Sequence, residues 1–104
     1  MINLASFREA LHGAPIVPVL TVTEVAHAAP LAAALIKGGL RSAEVTLRTP
    51  VAHEVITEMK AAEPSLVVGA GTICSEGDVD AALKAGADFL VSPGAGPELL
   101  KALA

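Results

Sequence analysis

An acid, a hydroxyl and a guanidinium recur at every second position of Ala43-Glu44-Val45-Thr46-Leu47-Arg48-Thr49-Pro50, within an otherwise apolar run. Side chains alternate faces along a strand, so Glu44, Thr46 and Arg48 are expected on one face and Val45 and Leu47 on the other. Taking a carboxylate and a guanidinium out of water is costly unless they pair with each other or meet a polar ligand. The run therefore reads either as the lining of a site or as a strand end closed by a structural Glu44–Arg48 ion pair. A second constellation, Leu66-Val67-Val68-Gly69-Ala70-Gly71-Thr72, ends a strand in small residues and then a hydroxyl. Gly69 and Gly71 permit close approach there. Thr72, at the strand's mouth, is placed either to hydrogen-bond a ligand or to take part in capping the next helix. A dinucleotide fingerprint fails in this stretch, because Cys74 stands where the third glycine belongs. Ser92-Pro93-Gly94 is ordinary turn chemistry after a strand.

The elements that must carry these residues repeat along the chain. Strand-like runs are expected at Ile16 to Leu20, Ala43 to Leu47, Leu66 to Ala70 and Phe89 to Ser92. Their starts lie about 23 to 27 residues apart, which suits a strand, a crossover helix and two loops. Between them the apolar period changes from two to 3.6. Ala28, Leu31, Ala32, Leu35 and Ile36 form one helical stripe, Ala52, Val55, Ile56 and Met59 a second, and Val79, Ala82 and Leu83 a third. A short helix with Leu4, Phe7 and Leu11 on one side precedes them. Thr49-Pro50 reads as an N-cap and first helical residue, Ser75 with Asp78 as a capping box, and Gly38 and Gly86 as glycines that end helices. Pro30 is expected near the first turn of its helix, and Pro97 is expected to open another.

The expected architecture is α/β, four parallel βα units connected by right-handed crossovers. An open doubly wound sheet would keep its central strands apolar on both faces, and the polar face of the second strand speaks against that. A barrel places polar groups at the C-terminal ends of its strands, so the chain reads as a (βα)4 half of a (β/α)8 TIM barrel with a short N-terminal helix. Residues 1–104 are expected to form one partial domain.

Composition limits the partners. The chain is 53% hydrophobic with a net charge of -4 and only two aromatic residues, Phe7 and Phe89. It lacks the basic patch and stacking platform of a nucleic-acid binder. No leader or membrane-spanning run is recognised, and Cys74 has no partner for a disulfide, so a reducing, cytoplasmic setting is expected. His12, His27 and His53 lack ligand spacing, and no metal is expected.

Taken together, Pro15-Ile16-Val17-Pro18-Val19-Leu20, Gly38-Gly39, Glu44-Val45-Thr46-Leu47-Arg48-Thr49, Val68-Gly69-Ala70-Gly71-Thr72 and Ser92-Pro93-Gly94 resemble the N-terminal half of the 2-keto-3-deoxy-6-phosphogluconate (KDPG) aldolase and 4-hydroxy-2-oxoglutarate aldolase family. The resemblance implies a class I, Schiff-base lyase of carbohydrate metabolism (the Entner-Doudoroff pathway). Such an enzyme needs no cofactor and is usually a homotrimer. It cleaves a keto acid phosphate to pyruvate and glyceraldehyde 3-phosphate. Glu44 matches the family's proton-shuttling carboxylate, and Arg48 and Thr72 match residues that hold the pyruvate end. The Schiff-base lysine of the family lies on a sixth strand, beyond residue 104, and Lys37, Lys60, Lys84 and Lys101 fall on or beside expected helices. The chain is therefore expected to be an N-terminal fragment, inactive alone. The alternative is a non-catalytic half-barrel that self-associates or pairs with another chain to cover its open strand edges.

Overall fold

The computed structural model describes residues 4–13 and 16–92, which form α1 (Leu4–Gly13), β1 (Val19–Leu20), α2 (Ala28–Lys37), β2 (Ser42–Thr46), α3 (Ala52–Ala62), β3 (Val67–Gly71), α4 (Glu76–Ala85) and β4 (Phe89–Leu90). A single 3₁₀ turn, Val25–His27, leads into α2. The four strands form one parallel sheet in the order β1-β2-β3-β4, so each strand lies beside its predecessor in sequence. This is the expected (βα)4 half-barrel. Pro97 and Lys101 lie outside the described residues. Among the described residues no helix is long and apolar enough to cross a membrane.

Two apolar clusters lie on opposite faces of the sheet. Between sheet and helices, Val45, Val55, Ile56, Met59, Leu66, Val68 and Ile73 are fully buried, and Leu47 packs against them. These are the outward residues of β2 and β3 and the stripe of α3, joined by alanines at Ala28, Ala32, Ala43, Ala52, Ala70 and Ala82 that let helices approach the strands. On the inward face a smaller cluster joins Ala10, Val67 and Phe89, with Phe7 and Val17 against it. The Phe7 and Phe89 ring centroids are 4.6 Å apart, so α1 closes the floor of the half-barrel through an aromatic pair.

The local expectations are met in part. The first strand pairs only at Val19 and Leu20, because Pro18 has no N–H to donate and instead accepts from Glu44 N at 2.8 Å. Thr49 does not cap α3: its hydroxyl donates to Val22 O at 3.0 Å, tying the start of the helix to the loop after β1, and the helix begins at Ala52 behind Val51. After α2 the left-handed residue is Gly39 (φ 91), while Gly38 stays right-handed; after α4 it is Gly86 (φ 98). Pro30 sits in the first turn of α2, where its missing N–H leaves no helical bond unmade.

Below the N-terminal ends of β3 and β4 lies an ionic clamp. Lys60 Nζ pairs with Asp88 Oδ2 at 2.8 Å and donates to Leu66 O at 2.9 Å and Pro64 O at 3.2 Å, while Asp88 Oδ2 also accepts from Val68 N at 2.9 Å. The clamp joins the end of α3 to two strands, and about a quarter or less of each charged side chain is exposed. Lys60→Met is expected to lower stability by about 1–2 kcal/mol. Urea unfolding should show this as a lower midpoint at unchanged slope.

Candidate active site

The inward face of the sheet is polar towards the C-terminal ends of its strands. Parallel register sets Glu44 between Val19 and Gly69, and Thr46 beside Gly71. Phe89 lies on the far side of Gly69. Thr46 is buried, and its hydroxyl shares a 2.9 Å hydrogen bond with Thr21 Oγ1, just past β1. Glu44 is half-buried. Its side chain runs towards the C-terminal mouth and lies over Gly71, where an added Cβ would fall 2.7 Å from its Cδ and 2.9 Å from its Cγ.

Arg48 lies beyond β2, in the turn that follows Thr46, and is exposed. The expected strand therefore stops short of Arg48. The ladder ends when Leu47 N bonds to Gly71 O at 3.0 Å, and past that bond strand alternation no longer sets side-chain direction. Among the described residues the Glu44 and Arg48 side chains do not pair with each other or with another side chain. A structural ion pair is thus not what holds them.

Thr72 follows β3 with φ 63, the single described non-glycine residue in the left-handed region. A β-branched side chain rarely adopts that conformation, and holding it there costs about 1–3 kcal/mol. The backbone is fixed on both sides, by Leu47 N on Gly71 O and by Ile73 N on Val91 O, each at 3.0 Å. Thr72 does not cap α4. That role belongs to Ser75, whose hydroxyl accepts from Asp78 N at 3.1 Å, while Asp78 Oδ2 accepts from Cys74 N at 2.9 Å. Glu44, Thr46 and Thr72 therefore gather at the strand mouths of β2 and β3, and Arg48 stands on the adjoining turn.

Sequence reasoning missed Thr21, whose hydroxyl became visible only through the register that brings it to Thr46. It also missed the strain at Thr72, for which sequence offers no signal. Among the lysines, Lys37, Lys60 and Lys84 lie on helices, and Lys60 is engaged at the opposite end of β3 from the carboxylate of Glu44. Among the described residues no three His, Cys, Asp or Glu side chains come together as a metal site.

Proteins similar to this chain in sequence and in structure bear the names of aldolases. The chain is 50% identical over 88 residues to the 2-dehydro-3-deoxy-phosphogluconate aldolase of Zymomonas mobilis, an alignment covering 85% of this chain and 42% of the relative. In structure it is similar to a 2-keto-3-deoxy-6-phosphogluconate aldolase of Zymomonas mobilis ZM4 solved with 3-phosphoglycerate. The TM-score is 0.84 at 44% identity, covering 96% of this chain and 47% of that one. It is also similar to the Legionella pneumophila KDPG aldolase with pyruvate captured at low pH as a covalent carbinolamine intermediate, with TM-score 0.83 at 41% identity, covering 89% of this chain and 45% of that one. The chain thus spans less than half the length of these relatives. The model of the KDPG and KHG aldolases matches residues 7–104, nearly the whole of the sequence, and the chain belongs to that family.

Proposed function

We propose that residues 1–104 supply the proton-transfer and pyruvate-holding half of a class I aldolase site acting on KDPG, with 4-hydroxy-2-oxoglutarate as a further substrate. The observation that carries this reading is the Glu44 carboxylate lying over Gly71 at the strand mouths, beside the strained Thr72. In this reading the chain is one partial domain, completed by strands five to eight of a barrel, and the finished enzyme works as a cytoplasmic homotrimer.

The chemistry follows from the groups present. A lysine of the completing half attacks the substrate ketone. The carbinolamine so formed loses water as Glu44 delivers a proton to the departing hydroxyl, leaving an iminium. The carboxylate then takes the proton of the C4 hydroxyl while the C3–C4 bond breaks and its electron pair flows into the iminium, giving an aldehyde and an enamine. Proton return to C3 and hydrolysis release pyruvate and regenerate the amine. Arg48 meets the carboxylate end of the keto acid with its guanidinium, and Thr72 adds a hydroxyl donor. The exposed position of Arg48 on a turn leaves it free to reach an anion at the mouth.

The test joins residues 1–104 in frame to the second half of the Zymomonas mobilis relative and treats the purified hybrid with pyruvate and borohydride. One reduced pyruvate per chain is expected by intact mass, on a lysine of the added half. Residues 1–104 alone should gain none. A folded hybrid without adduct would refute the reading.

A second reading, association of the half-barrel with another copy or chain, is favoured by the outer edges of β1 and β4, which have no strand partner among the described residues, and by Ile16 and Val19, 65% and 64% exposed. Light scattering on residues 1–104 tests it, and a stable monomer at high concentration would count against it.

A further inference from the structure

We propose that Gly71 is the positioning residue for the Glu44 carboxylate, its missing side chain forming the seat on which that carboxylate lies, with Phe89 blocking the alternative course straight across the sheet. Its functional meaning rests on the proton-transfer role proposed for Glu44.

On the β3 side an inward glutamate of β2 has two courses open to it. It can cross directly to its register partner Gly69, or lean along the strand towards Gly71. The direct course is occupied. The three atoms nearest to a Cβ built on Gly69 all belong to the Phe89 ring, which lies well inside van der Waals contact of that position. Phe89 is buried and backed by Phe7 of α1. It cannot yield without disturbing the floor cluster.

The other course is kept empty for Glu44. The three atoms nearest to a Cβ built on Gly71 are Cγ, Cδ and Oε2 of Glu44. Thr46, directly opposite Gly71, turns its hydroxyl the other way to Thr21 on the β1 side. Gly71 does not have a positive φ, so its backbone accepts any L-residue, and the reason for glycine there is space. Because Glu44 is half-buried and flexible, a methyl group at position 71 should move the carboxylate and leave the fold in place.

NMR on the full 104-residue chain tests this without any need for turnover. The parent is expected to show NOEs from Glu44 Hγ to Gly71 Hα. Gly71→Ala should displace the Glu44 side chain and change its pattern of NOEs to the inward residues around it, with the Val45, Val55 and Val68 methyl signals retained and Tm shifted by less than about 4 °C. Absence of the NOEs in the parent would overturn the proposal. So would a folded Gly71→Ala variant in which the Glu44 side chain keeps the parent's NOE pattern. Should Gly71→Ala alone fail to fold, Glu44→Ala with Gly71→Ala is expected to fold, since the colliding atoms are gone. Failure of that double variant, with Glu44→Ala itself folded, would make Gly71 a packing glycine and overturn the proposal. The NOEs decide the seat and the borohydride adduct decides the chemistry, so either can fail alone.

Discussion

Glu44→Gln, placed in the completed hybrid barrel, is expected to slow KDPG cleavage by about 10²–10⁴-fold, the range over which a positioned proton-transfer group contributes. The amide has the shape and reach of the carboxylate and fits the same space over Gly71. It cannot give up and recover a proton near neutral pH. Carbinolamine dehydration and C4–O–H deprotonation would both then rely on water. The Val45 and Leu47 side chains face the helices, on the other side of the sheet, so Tm should change little. The measurement is pyruvate release coupled to NADH oxidation by lactate dehydrogenase. A turnover within about threefold of the parent would assign proton transfer to another group.

Gly69→Ala is expected to have the largest effect on stability, about 1–3 kcal/mol by overpacking. In a domain of this size that lowers Tm by roughly 5–20 °C. The added methyl would enter the Phe89 ring, which is rigid, buried and held against Phe7. Phe89 must leave its place or the strands must separate. Either response loosens α1, whose inward contacts are Phe7 and Ala10. Hydrogen exchange should therefore accelerate first in α1, ahead of α3. Equal acceleration in both helices would mean that the floor is not a separate unit of stability. The contrast with Gly71→Ala is diagnostic, because one glycine faces a fixed ring and the other a movable carboxylate.

Much of this architecture is legible in the sequence because its signals are local. Alternation placed Val45 towards the helices and Thr46 on the inner face, and the 3.6-residue stripe of Ala52, Val55, Ile56 and Met59 is the buried side of α3. What stayed hidden depends on chain segments far apart. Thr49 reads as a cap from its neighbours, yet Val22, 27 residues earlier, takes its hydroxyl. Arg48 reads as a strand residue until Gly71 O ends the ladder at Leu47. The two inward glycines of β3 announce close approach without saying of what. Only the register identifies an aromatic ring over one and a carboxylate over the other.

The strand order β1-β2-β3-β4 has a consequence for how the chain is made. Among the described strands, β2, β3 and β4 each find a hydrogen-bonding neighbour among residues already synthesised. On a ribosome each βα unit can dock on the one before it as it emerges, at the pace of translation. The exception is the aromatic floor: Phe7 leaves the tunnel early but gains its partner only when Phe89 arrives. Until then α1 has no lid to close, and the inner face of the nascent sheet stays open to chaperones.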